Sequence, residues 1–416
     1  MTASGAATPH RRLYLAALIA AFGLRVAAGC VINVDASGVH RGFDFYGFMA
    51  DHVLDGRGLV WAFYDDLGDK WANRAPLYPL LVAAVRFVAG RASAVPVVVA
   101  QAALGAAACL VPAAFAARWG GTRAALVAVW IAALWPYSLA ADTSLVEHVA
   151  YAPLAGLAVL ATLRAADRPG VRGQVAAGVV AGLATLARLT FASGTVLLAA
   201  VSALRGPRWP RVALFAAGTA AVLVPWMMRN HGVTGAWTLG TDGGRALWVG
   251  NAEETFRRYP AESIDEAERD LFAKFTPADW QELRAQNGDE VAQERIFLRR
   301  AVTAAARRPA ATAWGGLRKA AALWSPVMNP GPTPAGKLLL FGVPLALVLG
   351  GALAAAARVA RMRADLPAIL AVAASFTIVA AVFWGQSRYL APLHQFAIAA
   401  AAAWLAARPS RWRTAP

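Results

Sequence analysis

Apolar residues in this chain come in long runs rich in Leu, Ala and Val, not in alternating patterns. A run of about 20 such residues crosses a bilayer core as a helix. At that depth every backbone amide needs an internal partner, so only helices or a closed barrel can span. The runs lack period-2 alternation, which excludes the barrel. Membrane helices are therefore predicted over 13–32, 95–117, 124–140, 148–165, 173–187, 190–204, 210–228, 337–358, 366–384 and 389–407. The stretch 76–90 is apolar but short and Pro-rich, and reads as re-entrant or interfacial. The stretch 173–204 reads either as two spans or as one interrupted hairpin.

Two polar segments interrupt this pattern, 33–75 and 229–335. The second carries amphipathic, helix-like stretches at 261–275 and 289–308 and no strong strand pattern. Loops of this length are uncommon unless they carry function. The expected organisation is a transmembrane module over 1–228 containing the first loop, a mainly helical loop region over 229–335, and C-terminal helices with a tail over 336–416.

Arginine placement tests the threading, because Lys and Arg concentrate in cytoplasmic loops. With the N-terminus inside and 76–90 not crossing, the short inside loops hold Arg118 and Arg123, the groups within 164–172, 205–211, 358–363 and 408–413, and Arg11 and Arg12. Only two acids, Asp167 and Asp365, fall on that side. Letting 76–90 cross would invert the next loops and destroy the separation. Both long loops then face outward, and both termini lie inside. A composition of 58% hydrophobic and 15% charged residues agrees with a bilayer protein. The net charge of +16 follows mainly from this topology, since the basic residues are scattered over short loops. It argues for a membrane surface and against nucleic acid. High Ala and Arg content suggests a GC-rich bacterial genome, which with the multi-pass spans makes a bacterial plasma membrane the expected location. Cys30 and Cys109 both sit in apolar runs, which excludes a disulfide framework and a Cys-based zinc site.

Candidate chemistry gathers at the outer level. Asp44 lies in Phe43-Asp44-Phe45-Tyr46, where partial desolvation would suit a general base. A solvated loop aspartate or a helix N-cap accounts for it equally well. Asp142 and Glu147 follow Trp135-Pro136-Tyr137 at the outer end of a span. His148 adjoins Glu147, but six scattered histidines without a spaced pair give little support to a His-based metal site. Arg229 ends Pro225-Trp226-Met227-Met228-Arg229-Asn230 and could contact a lipid phosphate or serve as an interfacial anchor. Arg188 and Arg388 approach the bilayer from the same side; a structural pairing with a carboxylate is the alternative. No nucleotide-cradling glycine loop is present, which argues against an ATP-driven or soluble-nucleotide enzyme.

Together these strings resemble the GT-C fold glycosyltransferases, nearest the family 39-like set that includes protein O-mannosyltransferases and lipid A aminoarabinose transferases. The first loop carries Asp44, Tyr46, Ala50, Leu54, Gly56 and Gly58, then Arg74-Ala75-Pro76-Leu77-Tyr78-Pro79. Pro136 to Glu147, Gly182 to Arg188, Pro225 to Asn230, Gly244 to Asn251, and Arg388, Tyr389 and Pro392 follow in the family's order. Ala75 departs from the usual Pro, and the region after 260 offers no extra domain that would identify an acceptor. The resemblance implies a bundle of about ten transmembrane helices. It implies a sugar moved, usually with inversion, from a polyprenyl-phosphate carrier to a protein, lipid or polysaccharide acceptor. Asp44 would be the base or acceptor-orienting carboxylate, and Glu147 would position acceptor or sugar with Asp142. Arg74, Arg229 and Arg388 would face the phosphate, with Tyr46, Tyr78, Asn230, Asn251 and Tyr389 lining the substrate. Assistance by a divalent cation is left open. The rival is a secondary transporter or lipid flippase, which would show midplane polar sites and an internal repeat. No repeat links the two halves of the chain.

Overall fold

The computed structural model describes residues 7–41, 44–62, 67–204, 208–331 and 333–407. Phe43, Arg205 and the arginines Arg408, Arg411 and Arg413 lie outside them. The first part of the chain forms α1 (Ala7–Asn33), α2 (Phe45–Leu54), a two-stranded antiparallel hairpin of β1 (Trp61–Ala62) and β2 (Asp69–Lys70), and α3 (Leu77–Ala89). Next come α4 (Val95–Ala108), α5 (Leu110–Ala133), α6 (Pro136–Thr143), α7 (His148–Asp167), α8 (Val171–Ala187), α9 (Ala192–Ala203) and α10 (Arg208–Thr234). The second loop region holds α11 (Gly243–Gly250), α12 (Glu253–Arg258), α13 (Ile264–Ala273), α14 (Pro277–Arg284), α15 (Glu290–Arg307) and α16 (Pro309–Leu323). The chain closes with α17 (Ala335–Lys337), α18 (Val343–Arg358), α19 (Ala360–Val382) and α20 (Ala391–Ala406).

Seven helical stretches are long and apolar enough to cross a membrane, with Val95–Ala133 counted as one. That stretch makes two crossings. Gly121 takes φ +75°, a backbone conformation open to glycine and costly to other residues. The chain reverses there: Gly120 packs on Ala403 and Trp135 meets His394, at opposite ends of α20. The shorter α8 and the Leu189–Ala203 stretch complete ten apolar segments. They are separate helices, joined through Arg188 in extended conformation (φ −152°, ψ 110°) and a 3-10 turn over Leu189–Phe191. At 13 residues, α3 is about 20 Å long, short of the ~30 Å core.

Small residues let the helices approach closely, the packing mode open to helices that have no water to exclude. A Cβ at Gly178 of α8 would collide with the Phe215 carbonyl of α10, and one at Gly218 of α10 with the Val175 carbonyl of α8. Deep in the bundle, Arg25 of α1 pairs with Asp142 of α6 (Nε to Oδ2 2.8 Å). Gly105 of α4 leaves room for that pair, since a Cβ there would lie 2.6 Å from Arg25 Nε. At one end of the bundle, Arg118 donates to both oxygens of Asp365 (2.6 and 2.9 Å), and the indole of Trp119 donates to Asp365 at 2.9 Å. Arg118 and Arg361 also pair with Asp167. These contacts bring three turns to the same end, as the ten-span threading requires.

The two long loops meet at the other end. The stretches expected at 261–275 and 289–308 form α13 and α15. One oxygen of Glu290 accepts from the Trp71 and Ala72 amides at 3.0 Å each, and the other accepts from Thr241 at 2.7 Å. Lys70 donates to Gln293. Leu67 packs with Phe272, Leu283, Ile296 and Phe297 in a small core of its own. First loop and second loop region thus form one layer over the helices.

Candidate functional site

Four segments deliver side chains to one place beneath that layer. The extended backbone at Ser144 breaks the chain between α6 and α7 and leaves Glu147 at the entrance to α7. α2 presents Tyr46, whose hydroxyl donates to Glu147 Oε2 at 2.7 Å. Arg188, at the end of α8, donates to Glu147 Oε1. The 3-10 turn Ser387–Leu390 brings Arg388 and Tyr389. Tyr389 is the hub. The Arg188 guanidinium lies 3.9 Å from its ring centre and that of Arg388 5.7 Å, while His148 stacks on it at 5.5 Å.

Behind this cluster runs a polar brace. Tyr46 packs edge-on against Tyr78 at 4.9 Å between ring centres. The Tyr78 hydroxyl donates to Gln101 Oε1 at 2.5 Å, and Gln101 Nε2 donates to the Asp142 and Ser144 carbonyls at 2.5 and 2.6 Å. Asn33 donates to the Thr143 carbonyl. Together these bonds hold the short segment that carries Glu147.

Asp44 caps α2, its Oδ1 accepting from the Gly47 amide at 2.9 Å. Its Oδ2 accepts from Arg86 of α3 at 2.5 Å, and Arg86 also reaches Asp51 at 2.8 Å and the Gly47 carbonyl at 2.9 Å. A small cavity between α2, α3 and α4 is lined by Asp44, Tyr46, Tyr78 and Arg86. Asp44 is thus a helix cap paired with Arg86, and it also lines a cavity beside Tyr46.

Other expected residues are occupied elsewhere. Asp142 has its carboxylate on Arg25 and is 8% exposed. Arg74 pairs with Asp242 and lies 5.1 Å over the Phe45 ring. Arg229 donates to the Trp71 carbonyl and, at 2.8 Å, to the Leu59 carbonyl. Asn230, fully buried, donates to the Thr238 carbonyl at 2.9 Å. Asn251 donates to the Leu247 and Val382 carbonyls at 2.8 Å each and accepts from Lys319 at 3.0 Å. For Arg229 and Asn230 the reason is common: irregular loop backbone under the layer needs polar partners, whereas Asn251 caps carbonyls at the ends of α11 and α19. Arg86 and Gln101 were not singled out from sequence. Their signal was a lone polar residue within an apolar stretch, which is costly unless it is used.

Above the cluster, Asp242, Arg245, Glu290 and Glu294 surround a second small cavity. Burial works to raise the Asp242 carboxyl, but the guanidinium groups of Arg245 and Arg74 overcome it and hold the group down at about 2. Burial wins at Glu294, pushing it up to about 7. Among the described residues no group of three or more His, Cys, Asp or Glu side chains is placed to hold a metal ion.

The architecture is the GT-C glycosyltransferase fold, as the sequence resemblance implied. The archaeal oligosaccharyltransferase AglB from Archaeoglobus fulgidus, in complex with an inhibitory peptide and a dolichol-phosphate, is similar over 96% of this chain and 50% of its own, with TM-score 0.52 and 16% identity. The Archaeoglobus fulgidus oligosaccharyltransferase tethered to an acceptor peptide containing the NVT sequon is similar over 96% of this chain and 49% of its own, with TM-score 0.54 and 17% identity. ArnT from Cupriavidus metallidurans, bound to undecaprenyl phosphate, aligns over 96% of this chain and 77% of its own, with TM-score 0.42 and 15% identity. This chain spans about half the length of the archaeal enzyme. No protein-family profile and no curated protein matches the sequence.

Proposed function

We propose that the chain is an integral membrane glycosyltransferase that moves a sugar from a polyprenyl-phosphate carrier to an acceptor, with inversion. Transfer takes place on the non-cytoplasmic face, the one bearing the two long loops, in a bacterial plasma membrane. The observation that carries this reading is the cluster around Tyr389. It combines a carboxylate held by Tyr46 and Arg188 with a second guanidinium, Arg388, that has no carboxylate partner among the described residues. Fixed guanidinium groups can stabilise the charge of a departing phosphate without a nucleotide. A site at the helix ends is also where a headgroup on a membrane-embedded tail would arrive. The AglB structure contains a dolichol-phosphate, a ligand of this chemical class.

In this scheme Arg188 and Arg388 take the phosphate, Tyr389 holds both guanidinium groups in register, and Glu147 orients the sugar or acceptor. Asp44 is the base. Its two oxygens each carry one hydrogen bond in this structure, and a carboxylate has lone pairs for more. The test is transfer of radiolabelled sugar from polyprenyl-phosphate-sugar donors in membranes expressing the chain, beside Asp44→Asn. Transfer by the native chain, reduced about a hundredfold or more in the variant, supports both enzyme and base. Equal transfer would remove Asp44 from the chemistry. No transfer from any donor by folded protein would favour the transporter.

A further inference from the structure

His148 is the first residue of α7 and is 2% exposed, yet neither ring nitrogen has a hydrogen-bond partner among the described residues. Burying an imidazole in this way is unfavourable, because both nitrogens leave water and gain nothing in return. Packing alone would be served better by Phe or Leu. The ring nonetheless lies beside the groups assigned above to the phosphate. It stacks on Tyr389, whose ring also carries Arg188 and Arg388, and its Nδ1 is 3.9 Å from Glu147 Oε1. That separation is too long for a hydrogen bond.

We propose that His148 contacts the substrate, donating a ring N–H to the phosphate oxygen that departs from the sugar. The inference rests on the glycosyl-transfer reading above. In the transfer step the acceptor's oxygen or nitrogen forms a bond to the anomeric carbon. The bond from that carbon to the phosphate oxygen breaks, and its electron pair stays on the oxygen. The acceptor's proton passes to Asp44. A phosphodiester with one negative charge thus leaves as a monoester with two. Arg188 and Arg388 oppose the total charge, whereas a directed N–H meets the one oxygen on which the new charge develops. His148 also sits one residue from Glu147, so a single turn at the mouth of α7 contributes to both sides of the breaking bond.

The experiment uses the full chain in lipid nanodiscs, with undecaprenyl phosphate as the binding probe. Three quantities are read for the native chain, His148→Phe and His148→Gln: thermal midpoint, affinity for the probe, and turnover with polyprenyl-phosphate-sugar donors. His148→Phe is expected to keep or raise the thermal midpoint. It should bind the probe about tenfold more weakly, with turnover falling at least as far. His148→Gln retains an N–H and is expected to recover most of the affinity. A His148→Phe protein that binds and turns over like the native chain overturns the inference and leaves the glycosyltransferase reading standing. Loss of thermal stability in both variants, with Gln no better than Phe, would make His148 structural and also overturn it. A folded native chain that neither binds the probe nor transfers sugar overturns the reading itself, and the inference with it.

Discussion

Two clusters of charge lie at opposite ends of this bundle, and they are built differently. At one end Asp365 is fully buried, with both oxygens accepting from Arg118 and one also from the Trp119 indole. Arg118 and Arg361 converge on Asp167 beside it. At the other end Glu147 is matched by Tyr46 and Arg188, but the cluster around it is left incomplete. Both nitrogens of His148 and the Nε of Arg388 have no hydrogen-bond partner among the described residues. A closed network specifies how helices dock. One with unused donors bears a cost that folding alone does not explain, and sites for ligands are where such costs are met. The difference separates a lock from a candidate site without reference to any related protein.

The comparison can be broken in several ways. Asp365→Ala should have the largest effect, because it removes the partner of the buried Trp119 indole and of the largely buried Arg118 guanidinium. A loss of about 3–5 kcal/mol is expected, read by denaturant or thermal unfolding in detergent. Transfer per folded molecule should stay close to native. Glu147→Gln should reverse that pattern, with about a hundredfold less transfer and a small change in thermal midpoint. If the two variants behave alike, the clusters are not different in kind. Gln101→Ala sharpens the contrast, because it frees the Tyr78 hydroxyl and two carbonyls in the brace behind Glu147. It should cost about 1–3 kcal/mol and should also lower transfer, linking stability and activity where the first two variants separate them.

The smallest effect is expected from Glu294→Gln, in the layer above the site. The folded-state value for Glu294, raised from 4.5 to about 7 by burial, means that the folded protein favours the protonated form. Its stabilising contribution is therefore full below pH 4.5 and is lost as pH rises through 7. The variant should flatten that part of the profile of thermal midpoint against pH. An unchanged slope would show that Glu294 is not the group responsible.

Much of the architecture was legible because bilayer thickness and backbone hydrogen bonding leave so few choices. The apolar runs gave the spans, and arginine placement gave a threading with which the Arg118–Asp365 and Asp167–Arg361 contacts agree. The α8–α9 break was left undecided, since the apolar run around Arg188 does not reveal its extended backbone. The site was legible only in part. Glu147, Arg388, Tyr389 and Tyr46 were recognised as polar residues near span ends, and the fold brings them together. Arg229 and Asn230 were singled out in the same way, yet they satisfy loop backbone, and Asn251 meets the carbonyl that ends α19. A polar residue bracing irregular chain and one facing a ligand have the same local sequence. Only the positions of their partners, often more than a hundred residues away, tell them apart.

The central claim is that a lipid phosphate binds at the Tyr389 cluster. It is tested most directly by photocrosslinking a polyprenyl phosphate with a diazirine near the phosphate to the full chain in nanodiscs, and mapping the adducts. Adducts within 147–151 and 387–390, lost in Arg388→Ala, are what this account predicts. Adducts confined to the arginine-rich opposite end, or undiminished in Arg388→Ala, would contradict it.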